Sequence, residues 1–403
     1  MVARWAHNPK AVGSNPTPAT NFFQILGASM PKLPTHDTLI QPKTIAVCTY
    51  VAGVNTWKLE DYNDEFKSLV KTLGLEIAHE MVIKLRLVDK ARFFTKGKLQ
   101  DLVDFCNANK VEQIILSSGL NGLQHRNLEV AANVKVIDRT DLILSIFKNS
   151  AKTAEGKLQV ELAEISIERT KLYGMGKDLA QQQHGEGSRG PGETVREHFL
   201  RETSEEVLKR EKRLKELAKV RDAQRKKRLK SDKPMISLVG YTNAGKSTIL
   251  NGLTHADVLA ENKLFATLDT TTKELFLTLD KKALISDTVG FISDLPHHLI
   301  RAFRSTLDEL HYADLLLHVV DLSNHSWREH IEIVNETLKD IEVKKPTVLI
   351  FNKIDAVSED VLEAIKNECL EKNIPALFIC ANEKSDLVQL KKFLENSNLF
   401  KKK

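Results

Sequence analysis

The chain has 403 residues, enough for two or three domains at roughly 100–200 residues each. Hydrophobic residues make up 42% and charged residues 28%, which excludes a largely disordered chain. The longest apolar run, near Ala313–Val320, falls far short of the ~18 residues of a membrane helix, so no stable membrane insertion is expected. Four cysteines, Cys48, Cys106, Cys369 and Cys380, lie far apart without a C-x-x-C pair. That excludes a disulfide scaffold and a zinc ribbon and suits a reducing cytoplasm.

The net charge is +5, and one segment carries it: Arg201–Lys233 holds 14 Lys/Arg and 7 Asp/Glu, a local +7. The first 36 residues contain no Asp or Glu. The stretch 1–42 is expected to be disordered, and no apolar core of a secretory signal follows its basic start. The run Val2–Thr20 reads like translated tRNA-gene sequence, which makes Met30 the expected true start.

Residues 43–150 alternate short β-branched runs with helical patterns. Thr44–Val51, Gln113–Ser118 and Lys135–Arg139 read as strands, and Asp61–Leu73 and Lys98–Asn107 as helices. Such alternation predicts a small N-terminal α/β domain with a parallel sheet. Residues 151–233 differ. Leu158, Leu162, Ile165 and Leu172 follow helical spacing, six of the chain's 18 glycines fall in Gly174–Gly192, and a charged helix follows from about Glu193 to Lys230. Two helices around a glycine-rich loop predict an antiparallel coiled-coil arm with a flexible tip. Taken alone, the charge run fits a solvated helix face. Residues 234–396 return to alternation, with six strands (MISLVG, ELFLTLD, ALISDTVG, LLLHVVD, TVLIFNK, ALFIC) and helices between them. This predicts a doubly wound domain. Residues 397–403 read as a basic tail, with Lys401–Lys403 as its frayed end.

The last domain carries the chemistry. Gly240-Tyr241-Thr242-Asn243-Ala244-Gly245-Lys246-Ser247 fits G-x-x-x-x-G-K-[ST], after an apolar strand and at the start of a helix. Its backbone N–H groups suit phosphate oxygens at a positive helix end. Lys246 is expected to reach the terminal phosphates and Ser247 to ligate Mg²⁺. Asp287-Thr288-Val289-Gly290 ends a second strand. Its Asp would hold Mg²⁺ through water, and its Gly N–H would sense the γ-phosphate. Asn352-Lys353-Ile354-Asp355 ends a third strand, where a carboxylate accepts two hydrogen bonds from guanine and none of that kind from adenine. Phe265-Ala266-Thr267-Leu268-Asp269 lies between, and Thr267 is expected to complete the Mg²⁺ shell when the γ-phosphate is bound. Four motifs in this order specify a GTPase.

After Gly290, where Ras-like GTPases place a water-orienting glutamine, stands Phe291. Intrinsic hydrolysis should therefore be slow. No side chain is assigned a catalytic role, and the Gly290 backbone is the candidate for positioning water. Asn243 is either a K⁺ ligand or a brace of its loop.

These motifs, together with KGKLQDL (Lys96–Leu102), VIDRTDLILSIF (Val136–Phe147), EGKLQVELA (Glu155–Ala163), GSRGPGE (Gly187–Glu193), LFATLD (Leu264–Asp269) and DTVGFISDLPHHLI (Asp287–Ile300), resemble the HflX-type ribosome-associated GTPases from about residue 43 to 395. The resemblance implies an α/β N-terminal domain, a helical arm and a Ras-like G domain. It implies a cytoplasmic monomer that cycles between GTP and GDP. Its partner would be the large ribosomal subunit and its RNA, in ribosome splitting, rescue or biogenesis, with hydrolysis stimulated by the ribosome. Cys380-Ala381 match the guanine-base loop, with Cys where the family usually has Ser, and Thr270 replaces the usual Pro after FATLD. His184 stands in the tip where relatives tend to have glycine. The arm's expected RNA contacts are Gly185, Gly187, Arg189, Gly190 and Gly192 at the tip and Arg225, Lys226, Lys227 and Arg228 on the helix. A +7 segment is drawn to phosphate by counterion release.

The alternative reading is a GTP-dependent scaffold for a non-ribosomal protein partner, with the arm as a helix-in-groove element. The histidines, His318, His325 and His330 among them, form no ligand motif, so packing or surface roles are expected. Residues 43–150 lack G-x-G-x-x-G, which leaves ATP binding there open.

Overall fold

A computed structural model describes residues 42–53, 57–174, 195–229, 233–254, 264–265, 271–278, 280–294, 299 and 307–400. The expectations for residues 1–41 fall outside this set. The first domain opens with β1 (Thr44–Val51), an apolar β-branched strand buried along nearly its whole length. Helix α1 (Leu59–Thr72) buries Tyr62, Phe66, Leu69 and Val70 at helical spacing and leaves Glu60 and Asp64 exposed on the other face. Strand β2 (Ile77–Leu85) was not legible as a strand. It lies at the sheet edge, where His79, Glu80 and Lys84 are exposed, so its run is not continuously apolar. Helix α2 (Lys96–Asn109), β3 (Gln113–Leu116), α3 (Gly122–Ala132), β4 (Lys135–Ile137) and α4 (Arg139–Ser150) complete the unit. All strands pair in parallel in the order β2-β1-β3-β4.

Capping fixes where α4 begins. The Asp138 carboxylate accepts the Asp141 N–H at 2.8 Å, and Asp141 answers back to the Asp138 N–H. Arg139 is therefore the first helical residue, held at the C-terminal edge of the sheet.

The arm consists of α5 (Ala154–Gly174) and α6 (Val195–Leu229). Glu161 faces Arg210 at 2.8 Å, and Glu168 lies near Glu206, so the two helices run antiparallel. Leu158 and Leu162 are only half-buried, while Val160, Ala163, Ile165 and Ile167 are buried. Helix α5 packs on α3, α4 and α6 together, and a helix enclosed on several sides is apolar on several sides. Lys171 anchors α5 to the first domain with 2.7 and 2.8 Å hydrogen bonds to the Asp141 carboxylate.

The third unit is a six-stranded sheet in the order β10-β9-β8-β5-β7-β6. Its strands are β5 (Met235–Gly240), β6 (Thr271–Phe276), β7 (Lys282–Asp287), β8 (Leu315–Asp321), β9 (Thr347–Asn352) and β10 (Ala376–Phe378). Only β6 runs antiparallel, paired with β7, and it begins three residues before the expected ELFLTLD run. Helices α7 (Lys246–Thr254), α8 (Trp327–Asp340), α9 (Glu359–Glu371) and α10 (Lys384–Asn396) cover the faces. The frayed end expected at Lys401–Lys403 lies outside the described residues. Asn398–Phe400 form a 3₁₀ turn whose Leu399 and Phe400 pack on the sheet core. Among the described residues no helix is long and apolar enough to cross a membrane.

Candidate nucleotide site

The phosphate loop runs from the end of β5 into α7. Gly245 sits at φ 97°, and a Cβ there would lie 2.2 Å from Asn352 Nδ2, so only glycine fits. Asn243 adopts φ 62° and is exposed on the loop crest. Lys246, buried at the first position of α7, donates to the Gly240 and Tyr241 carbonyls at 3.1 and 2.7 Å. Burial pushes its pKa down to about 8, partly offset by the Asp287 carboxylate. Beneath the loop, His318 on β8 is buried, and burial together with Lys246 holds it neutral, near pKa 3. It is a packing residue.

The three motifs on β5, β7 and β9 converge. Ser247 Oγ donates to Asp287 Oδ2 at 2.6 Å. Asp287 is fully buried, and its Oδ1 accepts the Thr288 N–H at 2.9 Å. A hydroxyl beside a buried carboxylate is the hard-oxygen donor set that suits Mg²⁺. Thr242 Oγ1 is buried with no hydrogen-bond partner among the described residues, so the loop offers a further unpaired oxygen. Asn352 joins the phosphate loop to the base loop: its Nδ2 donates to the Ala244 carbonyl at 2.8 Å, and its Oδ1 accepts the Ala381 N–H at 2.9 Å. Lys353, at φ 60°, pairs with Asp321 at 2.6 Å. Asp355 lies exposed on the 3₁₀ turn Ile354–Ala356. The Cys380 N–H is taken by Asp386 Oδ2 at 2.7 Å. Both backbone donors of the Cys380-Ala381 pair thus hold their loop in place.

Val289 and Gly290 leave β7 and pass against the phosphate loop. Thr242 N–H donates to the Phe291 carbonyl at 2.8 Å, and Phe291 N–H to the Gly240 carbonyl at 3.2 Å. The Phe291 side chain is buried with Val239, Leu316 and Val334. Its place after Gly290 therefore serves the core, and it presents no polar group to water. A Cβ on Gly290 would lie 2.8 Å from Thr242 Cγ2 and 3.2 Å from Lys246 Nζ.

Sequence reasoning missed the residues that join the first domain to this site. Tyr241 Oη donates to Glu65 and accepts the Ser293 N–H at 2.7 Å. The Tyr241 ring stacks on His330, 3.8 Å between centroids, with Trp57 alongside. Burial and the Glu65 carboxylate raise the Tyr241 pKa well above the ordinary value. Phe265 packs edge-on against Phe147 at 4.6 Å. A cavity of ≈240 Å³ separates α1 from the loop crest at Thr242 and Asn243. Ala266, Thr267, Leu268 and Asp269, and the tip glycines with Arg189, lie outside the described residues. Arg225–Arg228 are placed on α6 by their backbone.

Three family descriptions match in chain order: "GTP-binding GTPase N-terminal" over 60–148, "GTP-binding GTPase Middle Region" over 150–228 and "50S ribosome-binding GTPase" over 235–353. GTPase HflX of Caldanaerobacter subterraneus subsp. tengcongensis is 41% identical over 352 residues, covering 87% of this chain and 80% of that protein. GTPase HflX of Alkalihalophilus pseudofirmus is 40% identical over 334 residues, covering 83% and 77%. GTPase HflX of Escherichia coli K12 is 40% identical over 316 residues, covering 78% and 74%. With identity at this level running through all three units and the phosphate, Mg²⁺ and base motifs gathered at one sheet edge, the chain belongs to the HflX family of GTPases.

Proposed function

We propose that this GTPase binds the large ribosomal subunit and couples its GTP cycle to ribosome splitting, rescue or biogenesis in the cytoplasm. The observation that carries the nucleotide half is the 2.6 Å contact of Ser247 with Asp287, which unites two motifs 40 residues apart on a hard-oxygen donor pair. The ribosomal half draws on the matched description "50S ribosome-binding GTPase" and on the +7 segment Arg201–Lys233, which suits a phosphate-rich surface.

In this reading the N–H groups of Gly240–Ser247 cradle the phosphates at the start of α7. Lys246 offsets charge on the β- and γ-phosphates. Ser247, Asp287 and Thr267 would hold Mg²⁺, which neutralises developing phosphate charge when bound. Gly290 N–H meets the γ-phosphate. Asp355 selects guanine, on a turn held by the Lys353–Asp321 pair, and Cys380 and Ala381 shape the rim of the base pocket. Asn243 and the unpaired Thr242 hydroxyl form a polar crest that suits K⁺, a cation that would add positive charge where it develops in hydrolysis. With Phe291 turned into the core, no side chain among the described residues is assigned to orient water. Rapid turnover therefore requires order or a group supplied by the ribosome. Gly185, Gly187, Arg189, Gly190 and Gly192 form the tip that meets RNA, with Arg225–Arg228 adding charge along α6.

Three outcomes follow from these roles. Asp355→Asn should lose GTP and accept xanthosine triphosphate, since each hydrogen bond to a charged group is worth about 1.5–3 kcal/mol. Unchanged GTP affinity would remove Asp355 from the base pocket. The second concerns Lys246, which loses its proton above pH 8 in the free protein and regains it against phosphate. GTP affinity should be flat below that pH and fall by up to about tenfold per unit above it, with one proton taken up on binding. Calorimetry in buffers of different ionisation enthalpy would detect that uptake, and its absence at pH 9 would contradict the assignment. Third, deleting 185–192 should leave GTP binding intact but sharply weaken cosedimentation with large subunits. Equal sedimentation of the deleted and full chains would move the contact elsewhere.

A further inference from the structure

The first domain's sheet order reverses between β1 and β3. The chain winds from β1 to β2 on one side and through β3 to β4 on the other. In open parallel sheets the crevice beyond the strand ends at such a point is where ligands bind. Here the groups gathered at that edge reach into the GTPase unit. Arg139, fully buried just past β4, donates through Nη2 to Glu65 Oε1 at 2.5 Å, to Ser293 Oγ at 2.9 Å and to the Ser293 carbonyl at 3.1 Å. Ser293 Oγ donates in turn to Glu65 Oε1 at 2.9 Å, and Tyr241 donates to Glu65 Oε2. Nε and Nη1 of Arg139 are buried with no hydrogen-bond partner among the described residues. One carboxylate thus balances a desolvated guanidinium while holding both ends of the nucleotide machinery. Tyr241 belongs to the phosphate loop, and Ser293 lies three residues after Gly290.

This arrangement sets where Gly290 lies. Phe291 is zipped to Gly240 and Thr242, and Ser293 is fixed by Glu65, so Gly290 is drawn onto Thr242 and Lys246. A γ-phosphate between Lys246 and the Gly290 N–H needs that gap wider. We propose that Glu65, held by Arg139, is a residue that discriminates GTP from GDP. It ties Ser293 to Tyr241 when the terminal phosphate is absent, and it is released from Ser293 when GTP wedges Gly290 outward. The first domain then senses the nucleotide through its own ligand crevice, which the GTPase unit fills. This inference rests on the reading of Gly290 as the γ-phosphate contact. Release of Ser293 also loosens the α1 side of the cleft, beside the ≈240 Å³ cavity.

The test compares affinities of the full-length chain for GDP and for a non-hydrolysable GTP analogue. Glu65→Gln removes the charge at the hub. Ser293→Ala cuts only the side-chain link to the switch and leaves the Glu65–Arg139 pair intact. Both variants should raise affinity for the GTP analogue relative to GDP, by up to about tenfold for Glu65→Gln, the scale of one charge-assisted hydrogen bond. GDP affinity should stay near that of the unaltered protein. Should Glu65→Gln fail to fold around the orphaned Arg139, Ser293→Ala and the unaltered protein still decide. In the unaltered protein, amide hydrogen exchange across Leu59–Thr72 should be faster with the GTP analogue than with GDP. An unchanged ratio in Ser293→Ala together with equal exchange in the two nucleotide states would overturn the proposal. If the unaltered protein binds neither nucleotide, the reading of the site itself fails and takes the inference with it.

Discussion

One side chain fixes the geometry on which the nucleotide site depends. Asn352, buried at the end of β9, reaches the carbonyl of Ala244 in the phosphate loop with its amino group and the N–H of Ala381 in the base loop with its oxygen. The three segments are more than a hundred residues apart at the extremes, and the sheet alone would bring them only to a common edge. The amide sets the distance between the phosphate cradle and the base pocket. Gly245 must be glycine because that same amide fills the space of its Cβ. Losing one partner of a buried hydrogen bond costs ~1–3 kcal/mol. The geometric loss would be larger in consequence, because the phosphates and the base must be met together.

The second organising feature is the approach of the first domain to the switch. The phosphate loop carries on its second position a tyrosine, whose hydroxyl links Glu65 with the Ser293 backbone and whose ring stacks on His330, with Trp57 against both rings. Ser326 adds a 2.6 Å hydrogen bond to Asp61 on the same helix. Such a polar, well-bonded contact is specific and reversible, because its charged members are costly to leave unpaired and retain partners within each unit. An apolar interface would have bound the two units with less dependence on the precise placement of Ser293.

The parts legible in the sequence are those where backbone chemistry dictates residue type. Glycines at the phosphate loop, an aspartate at the end of β7 and an asparagine at the end of β9 have no substitutes, so their spacing alone disclosed a GTPase. Strand β2 was hidden because an edge strand tolerates His79, Glu80 and Lys84. Glu65 was hidden because a glutamate on the polar side of an amphipathic helix looks like a solvated residue, and only tertiary contact with Arg139 and Tyr241 sets it apart. Phe291 was legible as a departure, but its physical reason, packing among Val239, Leu316 and Val334, required the fold. Which sides of α5 are buried was not legible for a related reason: Leu158 and Leu162 follow helical spacing, yet the number of neighbours a helix has is a tertiary property.

The proposed function holds that a site carrying the phosphate, Mg²⁺ and guanine motifs, with no water-orienting side chain assigned among its described residues, obtains that help from the ribosome. Single-turnover GTP hydrolysis by the full chain, measured alone and with purified large or small ribosomal subunits, tests it most directly. The account predicts slow hydrolysis alone, little change with small subunits, and acceleration by large subunits on the scale of the ~10³–10⁵-fold seen with activating partners of other GTPases. Fast hydrolysis by the isolated chain, or equal rates with and without large subunits, would contradict it.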